Sequence, residues 1–355
     1  MKTFTDCKEE IHSCSKCGLC QSVCPVYKVT GNDCTVSRGH FIMLRGLLNG
    51  ELKMSKIINR YLDLCLKCSA CTKFCPSGID VVDIVALAKS EYFKLHKIEK
   101  IKSFFLRKFV FDFGVRFCGL IHKNVKSKAF DKKVVYFGGC SGRMQGNSHI
   151  VKLLNSCGIE VVSPDFECCG IPFFVRGDMK SFQQYMESFF EKLKETGVTD
   201  VVTSCASCEK ALKSYSEKWG KDIKPFDYTV KNIYEYMREN GLKPRLNKKL
   251  KVTYHKPCNL NNYDDIKWLL NNTYNLEYTE MQNYDSCCGF NGISKIKEYK
   301  INSKIFTSKR ENIIATGAKY VLTSCLGCES ALNIFSLGKY KVEDLAKFIA
   351  EHQNK

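Results

Sequence analysis

At 355 residues the chain is long enough for two or three domains, each with its own core. Its 44% hydrophobic and 26% charged residues exclude a disordered polypeptide, and the lysines behind its +18 formal charge are scattered without a nucleic-acid motif, so no nucleic acid is expected as a partner. The opening Met1-Lys-Thr-Phe-Thr-Asp6 is polar with no apolar core behind it, so the 22 cysteines are expected in a reducing, cytoplasmic setting, for metal or redox chemistry rather than disulfides.

Residues 1–12 read as a short lead-in. Cys14, Cys17, Cys20 and Cys24, with Pro25 behind them, are spaced C-x2-C-x2-C-x3-C-P, and the spacing returns intact as Cys65, Cys68, Cys71, Cys75 and Pro76. This is the run with which bacterial ferredoxins hold [4Fe–4S] clusters. Three thiolates two residues apart can wrap one face of a small cube, while the fourth, set off by a proline turn, points away. In the two-cluster arrangement that fourth cysteine ligates the other cluster. One cubane would take Cys14, Cys17, Cys20 and Cys75, the other Cys65, Cys68, Cys71 and Cys24. Structural zinc is the competing reading, but it gives no reason for two successive triples each followed by Cys-Pro. A 2+ core in four thiolates carries about 2−, so two such clusters lower the formal +18 by about four units.

The insert from Tyr27 to Arg60 has a turn at Gly31-Asn32-Asp33 and a helical stretch near His40–Leu48. Helical spacing of Val82, Ile84, Val85, Leu87 and Ala88 predicts a helix over Ile79–Leu95. Residues 1–97 are thus expected as a mostly helical two-cluster ferredoxin domain. Residues 98–131 form an amphipathic linker in which phenylalanines crowd between Arg107, Lys108 and Arg116. It is too charged for the ~20 apolar residues of a membrane span. A linker helix packed between domains is the plainer expectation, and an in-plane membrane contact the sharper one.

From Lys132 strand and helix alternate: strand Val134–Phe137 ending at Gly138-Gly139-Cys140, helix Ile150–Leu154, strand Ile159–Val162, helix Met179–Thr196, and strand Val201-Val202 ending at Ser204-Cys205. Such alternation predicts parallel-sheet α/β units. The pattern then repeats. Cys140, Cys168-Cys169-Gly170 and Cys205-x2-Cys208 are echoed by Cys258, Cys287-Cys288-Gly289 and Cys325-x2-Cys328 at offsets of 118–120 residues. Val-Val-Thr-Ser-Cys205 stands against Val-Leu-Thr-Ser-Cys325. Two α/β modules, 132–246 and 247–355, related by a pseudo-twofold axis, are expected. Cys140, Cys205, Cys258 and Cys325 each lie just past a strand, where ligands gather in parallel sheets. Each CxxC opens a helix, whose dipole favours thiolate.

These modules resemble the CCG-domain proteins, which include the catalytic subunit of heterodisulfide reductase. The fusion of a two-cluster ferredoxin to two such modules resembles the iron–sulfur subunits of glycolate oxidase and of anaerobic glycerol-3-phosphate dehydrogenase. His255-Lys-Pro257-Cys258 is similar to the His-x-Pro-Cys of the family's second module, whereas the first module opens with Gly138-Gly139-Cys140 instead. The resemblance implies one or two non-cubane [4Fe–4S] clusters. One would be held by Cys140, Cys168, Cys169, Cys205 and Cys208, the other by Cys258, Cys287, Cys288, Cys325 and Cys328. Cys7, Cys34, Cys118 and Cys157 have no partner at ligand spacing and read as small buried or incidental residues.

No flavin or nicotinamide motif is present, so the chain is not expected to take a hydride from an organic substrate by itself. The first expectation is an electron-transfer subunit beside an FAD-containing dehydrogenase of a 2-hydroxy acid or glycerol 3-phosphate, delivering electrons to quinone at the cytoplasmic face of a membrane. The alternative is a disulfide reductase built on the non-cubane clusters. A zinc-stabilised scaffold is the third.

Overall fold

The computed structural model describes residues 2–107, 109, 117, 124–289 and 299–353. The chain falls into two compact units. The first comprises Met1–Phe104, Pro172–Phe182 and Ser286–Lys309; the second comprises Phe105–Ile171, Gln183–Asp285 and Arg310–Lys355.

The first unit is helical. In each cysteine run two residues take left-handed backbone at equivalent places: Lys16 (φ 59°) and Gly18 (φ 86°), then Lys67 (φ 54°) and Ser69 (φ 58°). These turns curl each cysteine triple into a concave loop, and a short helix follows, Leu19–Val23 or Ala70–Lys73. Pro25 begins the next helix, Pro25–Thr30, where its missing N–H costs nothing. The predicted stretch near His40–Leu48 is helix Ser37–Leu48, and the helix expected from Ile79 runs Val81–Leu95. That second helix is buried nearly all round, which draws the polar Lys89 and Ser90 inside along with Val82, Val85 and Leu87.

Pro172–Phe182 joins this unit although it follows the Cys168-Cys169-Gly170 of the first α/β module. Lys89 Nζ donates to Val175 O at 2.7 Å, and Ser103 Oγ donates to Asp178 Oδ2 at 2.5 Å. At Gly177 (φ +86°) a Cβ would lie 2.6 Å from the carbonyl carbon of Lys89, so only glycine permits the approach. The matching segment of the second module, Ser286–Lys309, belongs to the first unit as well.

The second unit holds two four-stranded parallel sheets of identical topology. Strands β1 (Lys132–Tyr136), β2 (Ile159–Val162), β3 (Asp200–Thr203) and β4 (Thr229–Asn232) lie in the order β2-β1-β3-β4. Strands β5 (Arg245–Tyr254), β6 (Tyr274–Tyr278), β7 (Tyr320–Thr323) and β8 (Lys341–Asp344) lie in the order β6-β5-β7-β8. One hydrophobic core joins them, with Val134, Tyr136, Ile150 and Leu154 from the first module and Val252, Tyr254, Leu322 and Phe348 from the second. The helix contacts between modules are reciprocal. Helix Ser148–Asn155 packs on Leu345–His352, and the equivalents Asp264–Asn271 and Ile233–Glu239 pack on each other. That exchange is the mark of a twofold relation.

Strands β4 and β8 are edge strands with sequences Thr-Val-Lys-Asn and Lys-Val-Glu-Asp, too short and polar to show an alternating pattern. Much of the amphipathic segment expected over 98–131 lies outside the described residues. Its described part includes most of helix Lys97–Phe105, where Ile98, Ile101, Phe104 and Phe105 are exposed. Among the described residues no helix is long and apolar enough to cross a membrane.

Candidate metal centres

Cys14, Cys17, Cys20 and Cys75 line one cavity, with Phe41, Phe74, Ile79 and Val81 as its apolar wall; Cys71 also reaches it. Arg45, on helix Ser37–Leu48, fixes the first loop by donating to Ile11 O (3.2 Å), His12 O (2.9 Å) and Cys14 O (2.5 Å). Ser77 Oγ donates to Ser13 O at 3.0 Å, which ties the turn after Cys75 to the start of the first run. The cysteine behind the second run is thereby brought to the first.

The converse holds for Cys24. Burial pushes its thiol up to about 11, and the sulfurs of Cys65 and Cys68 add to that push. Cys71 is raised too, by burial first and then by Cys65, Cys68 and Cys24. Sulfurs packed this closely resist ionising together, and a cationic iron core removes the penalty. Cys24, Cys65, Cys68 and Cys71 thus make a second all-sulfur donor set that fits such a core. Cys68 differs from its neighbours: a hydrogen bond from Cys287 draws its thiol down to about 7. Cys287, from the second Cys-Cys-Gly, sits in an apolar cluster with Val26, Leu66 and Ile305, against which Cys24 and Cys68 pack.

In the second unit the sulfurs form a continuous series. Cys140, Cys168, Cys169, Cys208 and Cys205 touch one another in that order, and Cys205 leads on to Cys325 and Cys328. Hydrogen bonds from Cys168 and Cys208 pull Cys169 well below an ordinary thiol, while Cys168 and Cys208 are pushed well above it by those same sulfur contacts and by burial. Cys325 is held well below by Cys205, Cys328 and Ser207. Five buried or half-buried sulfurs that share protons in this way suit a multi-iron core better than one tetrahedral ion.

The surroundings are fitted to these sulfurs. Tyr215 donates its hydroxyl to Cys169 O at 2.6 Å. Phe137, Phe166 and Phe189 pack together with ring centroids 5.1–5.6 Å apart. Gly139 (φ +54°) leaves the space in which a Cβ would meet Phe137 at 3.0 Å and Cys208 Sγ at 3.4 Å. Cys205 and Cys325 each stand at the N-cap of a helix, Ala206–Ser214 and Leu326–Ile334, as the CxxC spacing predicts. Across the modules, Ala206 N donates to Ser324 O at 2.8 Å, and Asn259 Nδ2 donates to Ser207 Oγ at 3.1 Å.

Of the second set, Cys258, Cys325 and Cys328 belong to the second unit and the buried Cys287 and Cys288 to the first. His255 is buried, with a ring nitrogen within 4.8 Å of Cys328 Sγ. Of the remaining cysteines, Cys7 is buried and pushed up to about 11 by desolvation, and Cys157 packs against the shared core. Cys34 is half-buried within the turn Asp33–Thr35, and Cys118 lies outside the described residues. Sequence reasoning passed over Arg45, Lys67, Lys89, Ser207 and Tyr215. Only Lys67 carried a signal, since it repeats the position of Lys16 between two cysteines.

Comparison with known proteins bears on the whole chain. Residues 10–79 match the 4Fe-4S dicluster domain, and residues 134–213 and 252–333 each match the cysteine-rich domain CCG. An uncharacterized iron–sulfur protein of Methanocaldococcus jannaschii is 27% identical, over 96% of this chain and 71% of that protein. A probable glycolate oxidase iron–sulfur subunit of Bacillus subtilis is 24% identical, over 90% of this chain and 87% of that one. A component of the dihydromethanophenazine:CoB–CoM heterodisulfide reductase of Methanosarcina acetivorans is 22% identical, over 91% of this chain and 88% of that one. The chain is therefore an iron–sulfur protein of the family that joins a 4Fe-4S dicluster domain to two CCG cysteine-rich domains.

Proposed function

We propose that the chain is the iron–sulfur electron-transfer subunit of a flavin-dependent dehydrogenase complex. Its partner would be an FAD-containing subunit that oxidises a 2-hydroxy acid such as glycolate or lactate, or glycerol 3-phosphate, with quinone as acceptor. Cys14, Cys17, Cys20 and Cys75 would hold one cubane cluster, and Cys24, Cys65, Cys68 and Cys71 the other. Cys140, Cys168, Cys169, Cys205 and Cys208 would hold a non-cubane cluster, and Cys258, Cys287, Cys288, Cys325 and Cys328 a second. Bound there, such clusters supply one-electron carriers.

The observation that supports this reading is the grouping of Cys75 with Cys14, Cys17 and Cys20 and of Cys24 with Cys65 and Cys68, the crossed arrangement of two-cluster ferredoxins. The chain's own residues do the positioning. Left-handed turns curl the triples, Arg45 clamps the first loop, and Tyr215 holds the backbone of Cys169. A peripheral place on the cytoplasmic face of a membrane is supported by the exposed Ile98, Ile101, Phe104 and Phe105. Purification without air, with iron analysis and identification of co-purifying flavoprotein, tests the proposal. About twelve to sixteen irons per chain are expected, from three or four tetranuclear clusters. Colourless protein containing mainly zinc overturns it.

The contact between Cys205 and Cys325 favours a second reading, reduction of a disulfide by the CCG half, because it joins sulfurs of the two modules. Turnover of a mixed disulfide by the isolated chain, without flavoprotein, would select it.

A further inference from the structure

The two ferredoxin-type runs share a sequence feature that the structure treats in opposite ways. Cys14-Ser-Lys16-Cys17 and Cys65-Leu-Lys67-Cys68 each place a lysine, in left-handed backbone, between the first two cysteines. Lys16 is exposed, as is Cys17 beside it; Lys67 is 7% exposed. Behind Lys67 stands a second interior cation. Lys89 is 5% exposed on the all-round buried helix Val81–Leu95, with Nζ 2.5 Å from Asp63 Oδ1 and 2.7 Å from Val175 O. Asp63 lies two residues before Cys65. Arg176 and Glu99 pair alongside at 3.6 Å. Glu99 is also taken by Lys102, at 2.7 Å, so among these pairs Lys89 is the interior cation held directly against Asp63.

A [4Fe–4S] centre gains a negative charge on reduction, and its potential depends on net charge and solvent exposure around it. An interior cation favours the reduced form and raises the potential; a solvated one is screened by water. Resting on the cluster assignment proposed above, we infer that Lys89, held by Asp63 and Val175, raises the potential of the centre at Cys24, Cys65, Cys68 and Cys71. Lys89 is a positioning residue that touches no substrate. That centre lies beside the second Cys-Cys-Gly, since Cys24 and Cys68 pack against the apolar cluster that contains Cys287.

The test is a redox titration, followed by electron paramagnetic resonance, of the full chain purified without air. The signal of the second centre is identified as the one that Cys24→Ser alters. Lys89→Gln is expected to lower the midpoint of that signal, and Asp63→Asn, which keeps an oxygen for Lys89, to raise it. The other ferredoxin-type signal should stay in place in both variants. Lys16→Gln should move its own centre about fourfold less, the ratio between effective dielectrics of ~80 in water and ~20 near a protein interior. Opposite shifts from two members of one ion pair are not produced by mere loosening, which would move both the same way. Shifts of the same sign, or an effect of Lys16→Gln as large as that of Lys89→Gln, overturn the inference. If Lys89→Gln does not fold, the direction of Asp63→Asn alone decides. Normal iron content with unmoved midpoints refutes the role of Lys89 and leaves the cluster assignment standing. Wild-type protein without a second ferredoxin-type signal refutes the assignment itself.

Discussion

Replacing Gly39 by alanine tests how closely the first unit is packed around its cysteines. Within a helix such a change ordinarily gains about 0.8–1 kcal/mol. In helix Ser37–Leu48, however, the new Cβ would lie 2.0 Å from Asp33 O, 2.6 Å from its carbonyl carbon and 2.9 Å from Cys34 Cα. All three are backbone atoms, so no change of rotamer relieves the clash. Ordinary carbon contacts of about 3.5–4 Å require the helix to retreat by more than about 1 Å from the turn at Asp33–Thr35. Overpacking of that kind costs about 1–3 kcal/mol, which cancels the propensity gain and leaves a net loss of up to about 2 kcal/mol. The retreat matters to the metal centre because Ser37, Arg38 and Phe41 of this helix wall the cavity of Cys14, Cys17, Cys20 and Cys75. Gly46→Ala is the matched control on the same helix. Its Cβ would meet only the side chain of Leu52, at 2.8 Å from Cδ1, and that side chain can turn away. Thermal bleaching of the iron–sulfur absorbance, followed without air, compares the two. At up to about 2–4 °C per kcal/mol, Gly39→Ala should bleach below the wild type by up to about 8 °C, and Gly46→Ala at or above it. A Gly39→Ala protein as stable as Gly46→Ala would refute the close approach.

Three further outcomes follow from particular contacts. Tyr215→Phe strands the buried carbonyl of Cys169 and should cost about 1–3 kcal/mol in urea unfolding without changing iron content; an unshifted midpoint would show that the bond does not matter. Cys24→Ser should damage the resonance signal of the second run's cluster and Cys75→Ser that of the first, and damage confined to the mutated run would refute the crossing. Burial pushes the Asp344 carboxyl up to about 7, against the hydrogen bond it accepts from Lys347 N at 3.1 Å. Because the folded value lies above the unfolded one of about 4, its contribution is full below that pH and is lost as pH rises through about 7. Asp344→Asn keeps the helix cap and removes the carboxylate, so it should gain on the wild type from pH 5 to 8, by at most about 2.6 kcal/mol; parallel pH profiles would rule this out.

The form of the two cysteine loops was legible because it is local. A C-x2-C-x2-C loop needs only a few left-handed turns to present its sulfurs, and those turns fall at the same places in both runs. The repeat was legible for a related reason. Each module is one supersecondary unit, so the 118–120-residue offset carries the strand order of the first sheet over to the second. Helix Met179–Thr196 and strand Ile159–Val162 stand where their periodicity puts them. Strands β4 and β8 did not announce themselves, since a four-residue edge strand with one valine has no period to read.

What the sequence withheld is long-range. Gly177 looks like any loop glycine until the backbone of Lys89 is found against it, and the hydrogen bond from Lys89 to Val175 spans 86 residues. The assignment of Pro172–Phe182 and Ser286–Lys309 to the helical unit is of the same kind. So is the difference between Lys16 and Lys67, two lysines in matching motifs, one solvated and one interior. Spacing along the chain thus marks the candidate cluster ligands, whereas burial by distant segments specifies the charge and dielectric around them. Since potentials answer to the second as much as to the first, chains with the same cysteine pattern can move electrons in different directions. In this protein Lys89 and Asp63, the latter two residues before Cys65, pair at 2.5 Å and are the charges on which the redox titration proposed above bears.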